Sequence, residues 1–118
     1  MDTLCKIRDL YHSIYLFELQ LERIFNISLN EGMLLCTLKQ RGNISSGDVA
    51  EALGLSCSNA SKVIRSVEKK GLVSRGLGTA DKRQMFFSLT DTGSSLLTKI
   101  KNSSIEIPKD LKDAIAHQ

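Results

Sequence analysis

The stretch Ser45-Ser46-Gly47-Asp48-Val49-Ala50-Glu51-Ala52-Leu53-Gly54-Leu55-Ser56-Cys57-Ser58-Asn59-Ala60-Ser61-Lys62-Val63-Ile64-Arg65-Ser66-Val67-Glu68-Lys69-Lys70-Gly71 holds two start signals and two stop signals for helices. Ser45 and Asp48 have capping-box spacing, with Asp in the place of the usual Glu or Gln. Val49, Ala50 and Leu53 then face one way, and Gly54 stops the helix. Leu55 bridges to Ser56, a second N-cap. The helix it opens runs to about Lys70, with Ala60, Val63, Ile64 and Val67 inside and Gly71 as its stop. Two short helices joined by a tight glycine-containing turn form a helix-turn-helix.

The second helix of this pair turns Ser58, Asn59, Ser61, Lys62, Arg65 and Lys69 outward. Short hydrogen-bonding side chains cluster near its N-terminal end and bases follow. That layout suits a recognition helix, whose N-terminal residues reach base edges while basic residues meet phosphates. On periodicity alone, the same set is equally the solvated face of an amphipathic helix.

Downstream, Leu72-Val73-Ser74-Arg75 reads as a strand and Gly76 to Ala80 as a flexible turn. Gln84 to Leu89, with Met85, Phe86, Phe87 and Leu89 apolar, is a second strand. Together they predict a β-hairpin with a long loop. A hairpin that follows a helix-turn-helix at once is a winged helix. Thr90 caps a further helix carrying Leu96, Leu97 and Ile100, and Pro108 starts a last short one with Leu111, Ala114 and Ile115.

Upstream, apolar residues at 4, 7, 10, 11, 14, 17, 21, 24 and 25 step by three and four, which predicts a helix of about six turns. Tyr15, Leu16 and Leu19 add apolar character on its other sides, more than one docking face needs. Asn30 is the expected N-cap of the next helix, with Met33, Leu34, Leu35 and Leu38 along it and an end near Gly42. Cys36, among those leucines, is expected in the core. Ile44 predicts a short extended piece. The fold expected is mainly α with a small β-hairpin wing (α+β), a winged helix-turn-helix with about six helices. Residues 1–118 make a single domain, with its core over about 29–93 and helices in 1–28 and 94–118 for dimerisation.

The 118 residues are 42% hydrophobic and 25% charged, ordinary for a globular chain. No apolar run reaches a membrane span, and the N-terminus lacks the layout of a secretory signal. The three cysteines, at 5, 36 and 57, are too scattered for a disulfide framework or a Cys-x-x-Cys metal site. A reduced, cytoplasmic protein with no membrane partner is expected. The net charge of +3 is unevenly spread. Residues 1–60 carry net −2, residues 61–90 net +5, and residues 91–118 balance. One 30-residue window thus holds all the excess positive charge, the footprint of a polyanion site.

Catalytic signatures are missing. Gly76-x-Gly78 lacks a Lys-Ser/Thr sequel and opens no helix, so it is a turn rather than a phosphate cradle. His12 and His117 are isolated, and no Gly-x-Ser-x-Gly element occurs. No enzyme, metal or cofactor is expected. Cys57, in the first turn of the recognition helix where the helix dipole favours an anion, is the thiol a redox reading singles out ahead of Cys5. An inert thiol is the simpler reading.

Three stretches resemble the MarR (multiple-antibiotic-resistance-repressor) type of bacterial transcription regulators. They are Val49-Ala50-Glu51-Ala52-Leu53-Gly54-Leu55-Ser56, Val67-Glu68-Lys69-Lys70-Gly71-Leu72-Val73, and Asp81-Lys82-Arg83 followed by Leu-Thr-x-x-Gly at Leu89, Thr90 and Gly93. The resemblance spans about residues 29–93. It implies a dimeric repressor or activator that binds double-stranded DNA, with the fourth helix in the major groove. It also implies that Arg83 grips the backbone and minor groove, oriented by Asp81. A carboxylate two residues away can hold a guanidinium in one rotamer, and a narrow A/T-rich minor groove attracts that charge. A small-molecule effector, of unspecified identity, is a further family trait.

The chain departs from the family in a wing tip, Gly76 to Ala80, without Lys or Arg, and in ending 25 residues after Gly93. The expected site is therefore Ser56, Ser58, Asn59, Ser61, Lys62, Arg65 and Lys69 on the recognition helix, with Arg75, Asp81, Lys82 and Arg83 on the wing. The rival reading is a winged-helix module for protein–protein contact. The +5 window weighs against it, because such a module needs no basic patch.

Overall fold

The computed structural model describes residues 2–77 and 85–116. Its elements are α1 (Thr3–Phe25), α2 (Leu29–Arg41), β1 (Ile44–Ser45), α3 (Ser46–Leu53), α4 (Cys57–Lys69), β2 (Val73–Leu77), β3 (Met85–Leu89), α5 (Asp91–Lys101) and α6 (Lys109–Ala116). Six helices and a small sheet realise the expected winged helix-turn-helix architecture. They fall into two compact units, residues 30–102 and residues 1–29 with 103–118.

In the unit of residues 30–102, helices α3 and α4 end alike. Gly54 (φ 66°) and Gly71 (φ 75°) take the left-handed conformation that an L side chain resists. The amide of the next residue then reaches back, Leu55 N–H to Ala50 O at 2.9 Å and Leu72 N–H to Val67 O at 3.0 Å. Each glycine amide closes the inner bond, Gly54 to Glu51 O at 3.3 Å and Gly71 to Glu68 O at 2.9 Å. These are Schellman stops. The first aims the chain from α3 into α4, and the second aims it from α4 into the wing.

The sheet is antiparallel, in the order β1-β3-β2. The sequence reading expected a hairpin, with Ile44 in a short extended piece. That piece becomes a third strand, since Ile44 pairs with Phe87 and Ser45 with Phe86. Ile44 and Phe87 are both buried, so a two-residue strand suffices to cover the free edge of β3. Strand β2 also extends through Gly76 and Leu77, which pair with Phe86 and Met85 rather than forming the turn. Leu34, Leu35, Leu38, Val49, Ala50, Ala60, Ile64, Val67, Leu72, Val73 and Phe87 are buried in this unit.

Two expectations for α2 are corrected. It begins at Leu29, so Asn30 lies inside it rather than at its cap. Cys36 is exposed, not core. Leu34, Leu35 and Leu38 take the inward positions, and the helical period turns residue 36 away from them.

In the other unit, Asp2 caps α1 by accepting from Leu4 N–H at 3.1 Å, and Asn26 ends it in the left-handed conformation. The inward side of α1 differs from the expected stripe. Leu21 and Ser13 are buried, and Leu10, Ile14 and Phe17 half-buried, whereas Leu4, Ile7, Tyr11 and Ile24 are exposed. Ser13 is 7% exposed, and its hydroxyl donates to Asp110 of α6 at 2.6 Å. A polar residue marks this contact, so an apolar count passes over it. Gln20 adds a bond to the carbonyl of Glu106 at 3.2 Å. Among the described residues, no helix is long and apolar enough to cross a membrane.

Candidate nucleic-acid interface

Local hydrogen bonds cap both α3 and α4. Ser45 Oγ accepts from Asp48 N–H at 3.2 Å, and the Asp48 carboxylate accepts from Ser45 N–H at 3.2 Å, the reciprocal box expected from the sequence. Ser56 Oγ accepts from Asn59 N–H at 3.1 Å. The Ser56 hydroxyl is thus occupied as the cap of α4, which gives this expected site residue a structural task. Val49 and Ala50 of α3 and Ala60, Ile64 and Val67 of α4 bury the seam between them.

Across from that seam, Ser58, Lys62, Arg65 and Lys69 follow at steps of four, three and four, so they share one face. Four of the expected recognition-helix side chains thus share one exposed face, with Asn59 exposed as well and Ser61 half-buried. Arg65 Nε lies 3.4 Å from the Ser61 carbonyl. Lys62 and Lys69 form no ion pair with any described residue.

Two other cations of the basic window are engaged internally. Lys70 Nζ donates to Glu31 Oε1 at 3.0 Å, while Ser66 Oγ donates to Glu31 Oε2 at 2.8 Å. Glu31 is 6% exposed, so this carboxylate lies in the core between α2 and α4. Arg75 Nε donates to Glu68 Oε2 at 2.7 Å and Arg75 Nη2 to Glu68 Oε1. The same guanidinium lies 5.5 Å from the centre of the Phe87 ring, its cross-strand neighbour. Hydrogen bonding from Arg75 holds the Glu68 carboxyl below its usual range, although burial pulls the other way, and raises Arg75 in turn. The pair is therefore intact at neutral pH and weakens only as pH falls through the lowered Glu68 value.

The wing is anchored at its base by Thr90. Its hydroxyl donates to Gly71 O at 2.7 Å and accepts from Gly93 N–H at 3.0 Å, and its amide donates to Leu72 O at 3.1 Å. Asp81, Lys82 and Arg83, the expected wing contacts, lie outside the described residues, as does His117. Cys57 is the exposed first residue of α4, and it, Cys5 and Cys36 are free thiols. Among the described residues, no group of His, Cys, Asp and Glu could hold a metal ion.

Sequence reasoning missed Glu31 and Glu68. Both are acids that look like ordinary surface charge, and their partners are 39 and 7 residues away. The excess of bases in 61–90 gave no sign that two of them were already matched.

Comparison with known proteins agrees with this arrangement. The model of the MarR family matches residues 27–85. An uncharacterized HTH-type transcriptional regulator of Bacillus subtilis, YwaE, is 29% identical over 96 residues, covering 78% of this chain and 56% of the relative. A second one from that bacterium, YfiV, is 28% identical over 71 residues, covering 60% and 44%. The chain thus spans about half the length of these curated relatives. Among solved structures, S. aureus MepR in its DNA-binding conformation superposes with a TM-score of 0.80 at 23% identity, covering 100% of this chain and 85% of that one. Wild-type apo MarR from E. coli gives 0.77 at 17% identity, covering 99% and 84%.

Proposed function

This chain belongs to the MarR family, and on that premise we propose that it is a sequence-specific, double-stranded DNA-binding transcription regulator acting as a dimeric repressor. One observation carries the reading. The helix after the tight turn buries Ala60, Ile64 and Val67 and presents Ser58, Asn59, Lys62, Arg65 and Lys69 on its open side. In the major groove, the N-terminal residues approach base edges while Arg65 and Lys69 meet phosphates. The solved complex of S. aureus MepR with DNA shows a protein of this fold on that ligand. Selecting bound fragments from random duplex DNA, and measuring the salt slope of the winner, tests the reading. A protein–protein module would select no sequence and show no slope.

Division of labour on α4 gives the first prediction. Asn59→Ala or Lys62→Ala should cost about 1–3 kcal/mol of binding and blur one position of the selected site. Equal weakening on every sequence would show that these residues do not read bases.

The wing supplies the second. Arg83 is assigned the minor-groove contact, Asp81 its orientation, and Lys82 and Arg75 phosphate contacts. Arg83→Ala should lower the slope of log K against log salt by about one unit. Asp81→Ala should weaken binding too, although it removes a negative charge near DNA. Tighter binding by that variant, with the fold intact, would sink the orienting role.

Dimerisation rests on α1 and α6. Leu4, Ile7, Tyr11 and Tyr15 follow at steps of three and four, and all are exposed, Tyr11 to 74%. Ile115 of α6 is exposed as well. Such a line on a helix suits an isologous contact across a two-fold axis. Half-sites about 10 bp apart would follow. Light scattering should show a dimer at tens of micromolar protein, and a monomer there would count against the interface.

A further inference from the structure

We propose that Glu68 is a positioning residue for the wing, acting through Arg75, so that an acid on the DNA-binding helix strengthens binding rather than opposing it. The inference rests on the DNA-binding reading above for its consequence and on geometry for its cause. Arg75 meets three elements at once. Its backbone belongs to β2, its fork closes on the Glu68 carboxylate of α4, and its guanidinium lies over Phe87 of β3.

A two-point fork fixes both distance and direction, which a single ammonium contact cannot. The side chain of Glu68 is one-fifth exposed, so solvent competes weakly for it. The Schellman stop at Gly71 reverses the chain between the two partners. Without the pair, β2 would lose its described side-chain hydrogen bonds to α4, while Thr90 and that stop would still hold the base and β1 would still pair with β3. The strands run from that base toward residues 78–84, where Asp81 and Arg83 lie in sequence. A tilt of β2 against α4 would displace Leu77 and Met85, the described ends of the two strands, and contacts displaced by about 1 Å lose most of their strength. Arg75 thereby has a part other than the phosphate contact assigned to it with the wing.

The effect runs against simple electrostatics. Replacing a carboxylate by an amide on a helix facing phosphates should tighten binding, if charge were all that mattered. Positioning requires the opposite sign.

The test combines Glu68→Gln, Arg75→Lys and Arg83→Ala on the full chain, with the selected duplex as ligand. Glu68→Gln should weaken binding about fivefold or more and lower the salt slope by about one unit. Arg75→Lys, which keeps the charge and loses the fork, should do the same. Adding Arg83→Ala to Glu68→Gln should then change affinity less than twofold, because the wing contact is already lost. An undiminished Arg83→Ala effect in that background, or tighter binding by Glu68→Gln, would overturn the proposal.

Hydrogen exchange on the free protein decides the cause independently of DNA. Amides of residues 73–77 and 85–89 should exchange at least tenfold faster in Glu68→Gln, while those of α3 keep their protection. Unchanged strand protection would overturn the brace. If the wild-type chain binds no duplex, the DNA reading fails, while the exchange result still stands for or against the brace.

Discussion

Gly93→Ala should lower the unfolding free energy by about 3 kcal/mol, although the new residue is the better helix former. Gly93 is buried in the first turn of α5. A Cβ placed there would lie 2.1 Å from the carbonyl oxygen of Leu72 and 3.1 Å from Leu89 Cδ2. The oxygen belongs to the backbone where α4 gives way to the wing, so no rotamer change relieves the overlap. It also accepts from the Thr90 amide. Pushing the helix away therefore strains the two bonds Thr90 makes to Gly71 and Gly93 as well. Overpacking against a fixed group costs about 1–3 kcal/mol or more, and weakened buried hydrogen bonds add about 1. The propensity gain of Ala over Gly returns only about 1 kcal/mol.

Gly47→Ala is the matched control. It too lies in a first helical turn, but its nearest neighbour is Ser45 Oγ at 3.8 Å, an ordinary contact. That variant should be neutral or more stable by up to about 1 kcal/mol. Thermal melts of the two variants should move in opposite directions, with Gly93→Ala melting at least about 10 °C below wild type. A Gly93→Ala protein as stable as wild type would show that α5 does not abut Leu72.

This pair shows what could be read from the residues and what could not. Ser45, Asp48, Gly54, Ser56 and Gly71 act on their own neighbours within six residues, so spacing alone places α3, α4 and the turn between them. Thr90 as a cap is equally local. Gly93 belongs to a motif that the sequence displays, but the reason for glycine is a backbone atom 21 residues earlier. The third strand is hidden for a similar reason. Ile44 and Ser45 become a strand only because β3 offers them an edge. On α1, hydrophobic spacing gives the helix but not its inward side. Apolar residues surround it, and the hydroxyl of Ser13 marks the contact with α6. The exposed polar face of α4 was legible because burial of Ala60, Ile64 and Val67 leaves no other side for the polar set. The charge balance was not, since Glu31 and Glu68 are matched to bases only in three dimensions.

Glu31→Ala should destabilise the protein by about 2–3 kcal/mol and, under the DNA-binding function proposed above, reduce discrimination between the selected site and random DNA. The Glu31 carboxylate ties α2 to the C-terminal half of α4 through Ser66 and Lys70. Truncation removes the acceptor for both, each a hydrogen bond to a charged group worth about 1.5–3 kcal/mol. Breaking a fully buried ion pair costs about 3–5 kcal/mol because the abandoned charge stays in the core. Lys70 can turn outward instead, since its side chain is already 31% exposed. That keeps the estimate below the fully buried range. Glu31→Gln retains an oxygen for Ser66 and should lose less. A double-mutant cycle with Lys70→Ala should return about 1–2 kcal/mol of coupling, as directly paired groups do.

The consequence for DNA has two parts of opposite sign. Removing Glu31 frees the Lys70 ammonium and adds positive charge beside Lys69, so affinity for random duplex should rise at low salt. The same loss loosens the C-terminal half of α4, so contacts that need a fixed helix should weaken. Binding measured on the selected site and on random duplex at one salt concentration separates these effects. The ratio of the two affinities should shrink about tenfold, with most of the change on the selected site. If both affinities rise together and the ratio holds, Glu31 acts as a charge alone and does not hold α4 in place.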